Sequence, residues 1–293
     1  RYAGLTAGIK LATRVHRDLP PSARKKTLEE AVALGASVLV IPGEGEPLLY
    51  PGWRELVALA CALGMTSVLF TNAVELDAAA ARFALDHDVS IIVSLDSFRP
   101  ETYARLAGRA DVFDRVRRNL AALRGVYRPA VERRDGTIVT RLGLNTVVCL
   151  PNLGEAVEIK DWCGEEVLFI ANTPVYEGRA RKHWRELAGM PDGEPNPALA
   201  ETAKRLSETG GPTSARPDGK CAYLYNGLTV DSDGEVLICP DARASRGLIG
   251  NIADSSLAEL HGRVKRLIAK ASVPCIVRSP ALYARLLASL GKK

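Results

Sequence analysis

Ser37-Val38-Leu39-Val40-Ile41-Pro42-Gly43-Glu44-Gly45-Glu46-Pro47-Leu48-Leu49 runs an apolar stretch into two glycines, two glutamates and a proline. Beyond it, Leu56, Val57, Ala60 and Leu63 recur at the three-and-four spacing of an amphipathic helix. The whole reads as strand, glycine turn, helix. Glycines let a backbone come close to a ligand, and two carboxylates on such a turn suit a cationic group. A tight turn with both glutamates solvated fits the same letters.

Working outward, the same unit repeats. Strands are expected at Ala7 to Thr13, Ser37 to Ile41, Thr66 to Thr71, Val89 to Leu95, Thr140 to Cys149 and Val167 to Ala171. A helix with Val112, Val116, Leu120 and Leu123 on one face separates two of them. Alternation of this kind predicts a parallel sheet with helices outside it, either doubly wound or a partial barrel. The ligand then lies at the carboxyl ends of the strands. Those ends carry Thr71-Asn72, Ser94-Leu95-Asp96-Ser97 and Asn172-Thr173, each of which serves equally well as a strand terminator or helix cap.

From about Arg181 the pattern changes. A polar helix near Lys182 to Leu187, the Pro/Gly-rich connector from Met190 to Pro197 and a helix from Ala198 to Glu208 lead to a predicted β-hairpin. Its strands are Leu228 to Val230 and Val236 to Ile238, joined by an Asp-Gly turn, with Cys221 and Cys239 at the outer ends. Pairing of those strands brings the two thiols towards each other, as metal ligation requires.

Composition bounds the function. The 293 residues are 47% hydrophobic and 25% charged, with no apolar run long enough to span a membrane, so a cytoplasmic protein is expected. The 39 basic and 34 acidic residues are spread along the chain, which favours neither nucleic acid nor membrane as a partner. Six cysteines are too few for a disulfide scaffold, and the four histidines form no ligand pair, which sets a zinc hydrolase aside.

Gly43-Glu-Gly-Glu-Pro47-Leu-Leu after the second strand resembles the glycine-Glu-Pro motif of radical SAM enzymes, and Ser94-Leu-Asp96 resembles their fourth-strand motif. Cys221, twelve residues, Gly234, four residues, Cys239 is similar to the opening of the SPASM and twitch extensions, and Gly250-Asn251-Ile252, Ser256 to Leu260 and Cys275 fit their continuation. The resemblance implies a partial (β/α)6 TIM-like barrel over residues 1–180, with a small α+β extension built on the hairpin over 181–293.

The chain departs from the family at one place. The defining Cys-x-x-x-Cys-x-x-Cys should follow the first strand, yet no cysteine precedes Cys61. The first strand ends Leu11-Ala-Thr-Arg14-Val15 and His16-Arg-Asp-Leu resumes abruptly, so the [4Fe-4S] loop is missing near Val15 and His16. Either that loop has dropped out of the chain or this is a member that lost the cluster.

The remaining roles are what the resemblance implies. S-adenosylmethionine is cleaved by an electron from the cluster, giving a 5′-deoxyadenosyl radical that abstracts a substrate hydrogen. Gly45 and Glu46 meet the methionine end of SAM, Ser94 and Asn72 the ribose, and Asp96 the ribose or substrate. Cys221, Cys239 and Cys275 hold an auxiliary [4Fe-4S] cluster, with small buried hydrophobes as their bland reading. Cys149, at a strand end beside Pro151-Asn152, and Cys239 are the candidate hydrogen-atom donors, while Cys61 and Cys163 read as packing residues. The implied substrate is a small amino sugar, gripped by Glu44, Asp96, Glu177 and Asp241. The implied activity is aminoglycoside epimerisation, with aminocyclitol dehydrogenation, peptide modification and non-redox metabolite binding as alternatives. An external electron donor is the implied partner.

Overall fold

A computed structural model describes residues 18–42, 45–127, 132–134, 137–176, 178–207, 227–237 and 248–269. The predicted strand Ala7 to Thr13, the Val15 to His16 junction, Gly43, Glu44, Glu177, Cys221, Cys239, Asp241 and Cys275 lie outside the described residues. The described residues fall into two compact units, 37–207 and 18–36 with 227–269.

In the first unit, β1 (Val38–Ile41), β2 (Thr66–Thr71), β3 (Val89–Ser94), β6 (Leu142–Val147) and β7 (Leu168–Asn172) form a parallel sheet in that spatial order. The register runs Val40 to Val68, Val68 to Ser90, Ile92 to Gly143 and Asn145 to Ile170. This is the partial TIM-like α/β fold expected. A short antiparallel hairpin, β4 (Glu132–Arg134) with β5 (Thr137–Val139), precedes β6.

Period-two alternation decides which side of the sheet is covered. Leu69, Ile91, Val93, Leu144 and Phe169 face one way, into a single buried cluster with Val57, Ala80, Val116, Leu120, Ile159 and Leu199 from the helices Trp53–Ala62, Ala78–Asp86, Phe113–Tyr127, Ala156–Cys163 and Pro197–Ser207. The opposite face carries Val68, Phe70, Ser90, Ser94, Ile170 and Asn172, all only half-buried. Among the described residues, helices therefore pack on one face of the sheet.

Local chemistry sets the helix ends. Asp77 caps Ala78–Asp86 by accepting the Ala80 N–H at 2.8 Å, and Pro100–Ala107 begins on proline and stops at Gly108 in the left-handed region. The Tyr127 hydroxyl donates to the Val89 carbonyl at 2.8 Å, tying the long helix to the start of β3. The helix Pro197–Ser207 packs within this unit, its Ser207 hydroxyl donating to the Ala171 carbonyl at 3.2 Å.

The second unit is built on β8 (Thr229–Val230), β9 (Glu235–Leu237) and β10 (Leu248–Asn251), antiparallel in the order β10-β9-β8. The helix Pro21–Ala33 joins it: Leu19 N–H donates to the Ser232 carbonyl at 2.7 Å, and Glu30 accepts the Leu257 N–H that opens the helix Leu257–Ala269 at 2.8 Å. Gly234 makes the β8–β9 turn at φ +86°, and a Cβ there would lie 2.9 Å from both Asn251 Oδ1 and Ile252 Cγ1. Gly234→Ala is thus expected to destabilise this unit by about 1–3 kcal/mol, read as an earlier denaturant midpoint for this unit.

Candidate functional site

At the carboxyl edge of the sheet, Glu46 ends the loop after β1 and starts a 3₁₀ turn over Pro47–Leu49, and its carboxylate turns back onto β2. Oε1 accepts the Thr71 hydroxyl at 2.6 Å and the Leu48 N–H at 3.2 Å, and Oε2 accepts the Asn72 N–H at 2.7 Å. Burial pushes the carboxyl pKa up, with the bonds from Asn72, Thr71 and Leu48 working against that shift. Glu46 is therefore a brace between two loops, with three donors already on its two oxygens.

The brace holds a strained turn. Ala73 sits at φ 61°, a left-handed conformation that costs an L-residue about 1–2 kcal/mol. It is kept there by the Thr71 hydroxyl, which accepts Ala73 N–H at 3.0 Å, and by Asn119, whose amide donates to the Ala73 and Val74 carbonyls at 2.8 and 3.0 Å. The Asn72 side-chain oxygen accepts Val74 N–H at 2.9 Å, which fixes the orientation of its amide. Strain maintained by several independent bonds at a ligand-facing edge points to function.

Next in register lies a row of polar side chains on the half-buried face. Ser94, the last residue of β3, is directly opposite Asn145 on β6, and Asn172 at the end of β7 donates from Nδ2 to Asn145 Oδ1 at 2.7 Å. Ser94 Oγ is buried and has no hydrogen-bond partner among the described residues, a cost that a native structure retains when a ligand completes the bond. Asn145 and its pairing with Asn172 went unnoticed in the sequence. Asn145 sits inside the apolar run Leu142 to Val148, and its opposition to Ser94 exists only once the sheet has formed.

Asp96 follows β3 and accepts the Val147 N–H at 2.7 Å, clamping β3 to β6. Asn152 completes that clamp by donating to the carbonyls of Asp96 at 2.8 Å and Val147 at 2.9 Å. Cys149 lies against the same asparagine, its thiol donating to Asn152 Oδ1 at 3.4 Å, and it packs with Leu106, Ala180 and Leu187. Burial, followed by the charge of Asp96, pushes its thiol up to about 12, so it stays S–H. Cys163, likewise buried in the core, is also pushed up to about 12 by burial. Cys61 is half-buried on the last turn of the helix Trp53–Ala62, less enclosed than a core residue.

Gly45 is described and its surroundings are open: a Cβ built there meets no atom within 4 Å. The protein's own packing does not demand glycine at that point, whereas close approach of a ligand backbone or sulfonium would. Gly45→Ala is accordingly expected to leave stability within about 0.5 kcal/mol and to weaken ligand binding several-fold in equilibrium dialysis. Unchanged binding would remove Gly45 from the site.

Residues 8–145 match the sequence profile of the radical SAM superfamily. A curated relative, Fe-coproporphyrin III synthase of Methanosarcina barkeri, is 27% identical over 215 residues, covering 71% of this chain and 50% of that protein. Among solved structures, Streptococcus suis SuiB bound to S-adenosylmethionine matches with a TM-score of 0.58 at 14% identity, over 83% of this chain and 58% of SuiB. Native anSMEcpe with bound AdoMet matches with a TM-score of 0.56 at 18% identity, over 85% of this chain and 73% of that one. The chain spans about half the length of the curated relative it matches, and at these identities the structural matches establish the fold alone.

The match over residues 8–145 implies two groups, and they fare differently against these residues. SAM fits. The unpartnered Ser94 hydroxyl, the Asn145–Asn172 pair, the oriented Asn72 amide and the open space at Gly45 offer donors and acceptors for a ribose and an amino acid along one edge. A cluster bound by three loop thiolates does not fit. Residues 1–60 contain no cysteine, and Cys61 is the one thiol within 8–145.

Proposed function

We propose that this chain binds S-adenosylmethionine along the carboxyl edge of its parallel sheet and receives a small, amine-bearing polar ligand, of the amino-sugar kind, on the adjoining half-buried face. The observation that carries the reading is the polar row of Asn72, whose N–H the Glu46 brace holds, with Ser94, Asn145 and Asn172, which contains a buried hydroxyl without a partner among the described residues. Gly45, Asn72 and Ser94 contact SAM in this reading. Glu46 acts through Thr71 and Asn72 and is a positioning residue, and Asp96 contributes negative charge beside the amino-sugar ligand.

Epimerisation of an aminoglycoside is the specific reaction that the resemblance implies, and it requires reductive cleavage of SAM by a loop cluster for which residues 1–60 supply no cysteine. Dehydrogenation and peptide modification share that requirement. SuiB has been solved bound to precursor peptide SuiA, which supports a peptide as the second class of ligand. What the residues support directly is binding. Equilibrium dialysis with radiolabelled SAM, with and without a 2-deoxystreptamine aminoglycoside or a short peptide, tests it. Saturable SAM binding that the aminoglycoside strengthens is expected; absence of SAM binding defeats the reading, and strengthening by the peptide alone transfers it to peptides.

A further inference from the structure

The misfit between the domain and its thiols has a functional consequence. Cleavage of SAM adds one electron to the sulfonium, breaks the C5′–S bond, leaves methionine with the sulfur lone pair and releases the 5′-deoxyadenosyl radical. The electron must come from a donor at the sulfonium. In a radical SAM domain that donor is a cluster on the loop after the first strand, and three thiolates of that loop hold it.

This chain supplies none of the three. Its first 60 residues lack cysteine altogether. Cys61 stands alone on a helix whose Val57 is buried with Leu69 and Ile91, on the sheet face opposite Ser94 and Asn145. Cys149 and Cys163 are enclosed thiols on separate elements, and burial opposes the thiolate that iron requires. Against this, the edge proposed to bind SAM remains assembled: the polar row, the strained turn at Ala73 and the Glu46 brace that positions them. A binding edge kept in order without its electron donor is the arrangement of a domain that holds SAM as a ligand.

We infer that this chain binds S-adenosylmethionine and keeps it intact, having separated the binding function of the fold from reductive cleavage. The inference rests on the SAM-binding reading above and goes beyond it by assigning the fate of the bound molecule. Cys221, Cys239 and Cys275 are the thiols that the sequence resemblance assigns to iron.

The test uses the full chain after anaerobic reconstitution with iron and sulfide. Three quantities are measured: SAM bound in equilibrium dialysis, iron per chain, and 5′-deoxyadenosine after addition of dithionite, by liquid chromatography and mass spectrometry. The same measurements follow on the triple variant Cys221→Ser, Cys239→Ser, Cys275→Ser. Expected results are saturable SAM binding, recovery of SAM unchanged with no 5′-deoxyadenosine above a protein-free control, and loss of iron in the triple variant with SAM affinity unaltered. Formation of 5′-deoxyadenosine by the wild-type chain overturns the inference and leaves the binding site standing. Iron retained by the triple variant also overturns it, because another ligand set then exists. Failure to bind SAM at all defeats the site itself.

Discussion

Glu46→Ala is expected to lower SAM affinity by at least about tenfold and to destabilise the first unit by about 2–3 kcal/mol. The carboxylate takes the Thr71 hydroxyl and the N–H groups of Leu48 and Asn72, and alanine leaves all three donors without it. Each donor left in a partly dry setting costs on the order of 1 kcal/mol, and the Ala73 turn loses the anchor that offsets its strain. Asn72 then no longer holds one orientation, which is how a residue that does not touch the ligand weakens binding. Glu46→Gln separates the two effects. Its amide oxygen can replace Oε1 towards Thr71, but its NH2 meets the Asn72 N–H donor to donor, so binding falls while most packing is kept. Equal SAM affinities for wild type and both variants, by equilibrium dialysis, would sink the brace.

The same residue gives a pH prediction with a defined sign. Burial raises the Glu46 pKa in the folded chain above its ordinary value of 4.5. A proton therefore binds the folded state more tightly than the unfolded one. The stabilisation this brings is complete below the unfolded value and is lost as pH rises through the raised folded value. Glu46→Gln cannot titrate, so the stability gap between wild type and the variant should narrow from pH 4 to pH 7 in denaturant titrations. A gap that widens over that range would reverse the assignment.

How much of this was legible in the sequence depended on whether the cause was local. Thr66–Thr71 reads as a strand from its letters because one of its faces is buried, and alternation follows from that alone. Val112, Val116, Leu120 and Leu123 declare their helix for the same reason and are all buried. The β4–β5 hairpin was missed. Its Glu132-Arg-Arg134 strand has no apolar face, and the Asp135-Gly136 dipeptide between the strands was the one signal available.

The site was legible by position and illegible by role. Strand order predicts that Gly45, Asn72, Ser94 and Asp96 gather at one edge. Nothing in the sequence says that Glu46 bonds to Thr71 and Asn72, because those residues meet only through the parallel pairing of β1 and β2. The same holds for the helix Pro21–Ala33, which sits near the start of the chain yet packs with residues beyond 227. Glutamates in a glycine turn suggest a ligand's ammonium; the fold uses this one to build the turn.

Ser94→Ala is the substitution that tells a ligand site from ordinary packing, because its two expected effects have opposite signs. The Ser94 hydroxyl is buried without a hydrogen-bond partner among the described residues, and an unmet hydroxyl costs on the order of 1 kcal/mol or more. Alanine removes that cost while keeping the Cβ and the strand, so the unliganded variant should be more stable by about 1 kcal/mol and melt a few degrees higher. The ligand loses the bond that the hydroxyl was held ready to make, so SAM affinity should fall by roughly tenfold. A structural serine behaves otherwise: its loss lowers stability and leaves binding alone. Asn145→Leu extends the test one strand further. It removes the oxygen that accepts from Asn172 and replaces a buried amide with a side chain of similar volume, so binding should suffer far more than folding. If Ser94→Ala neither stabilises the free protein nor weakens SAM binding, the polar row is part of the core and the ligand lies elsewhere.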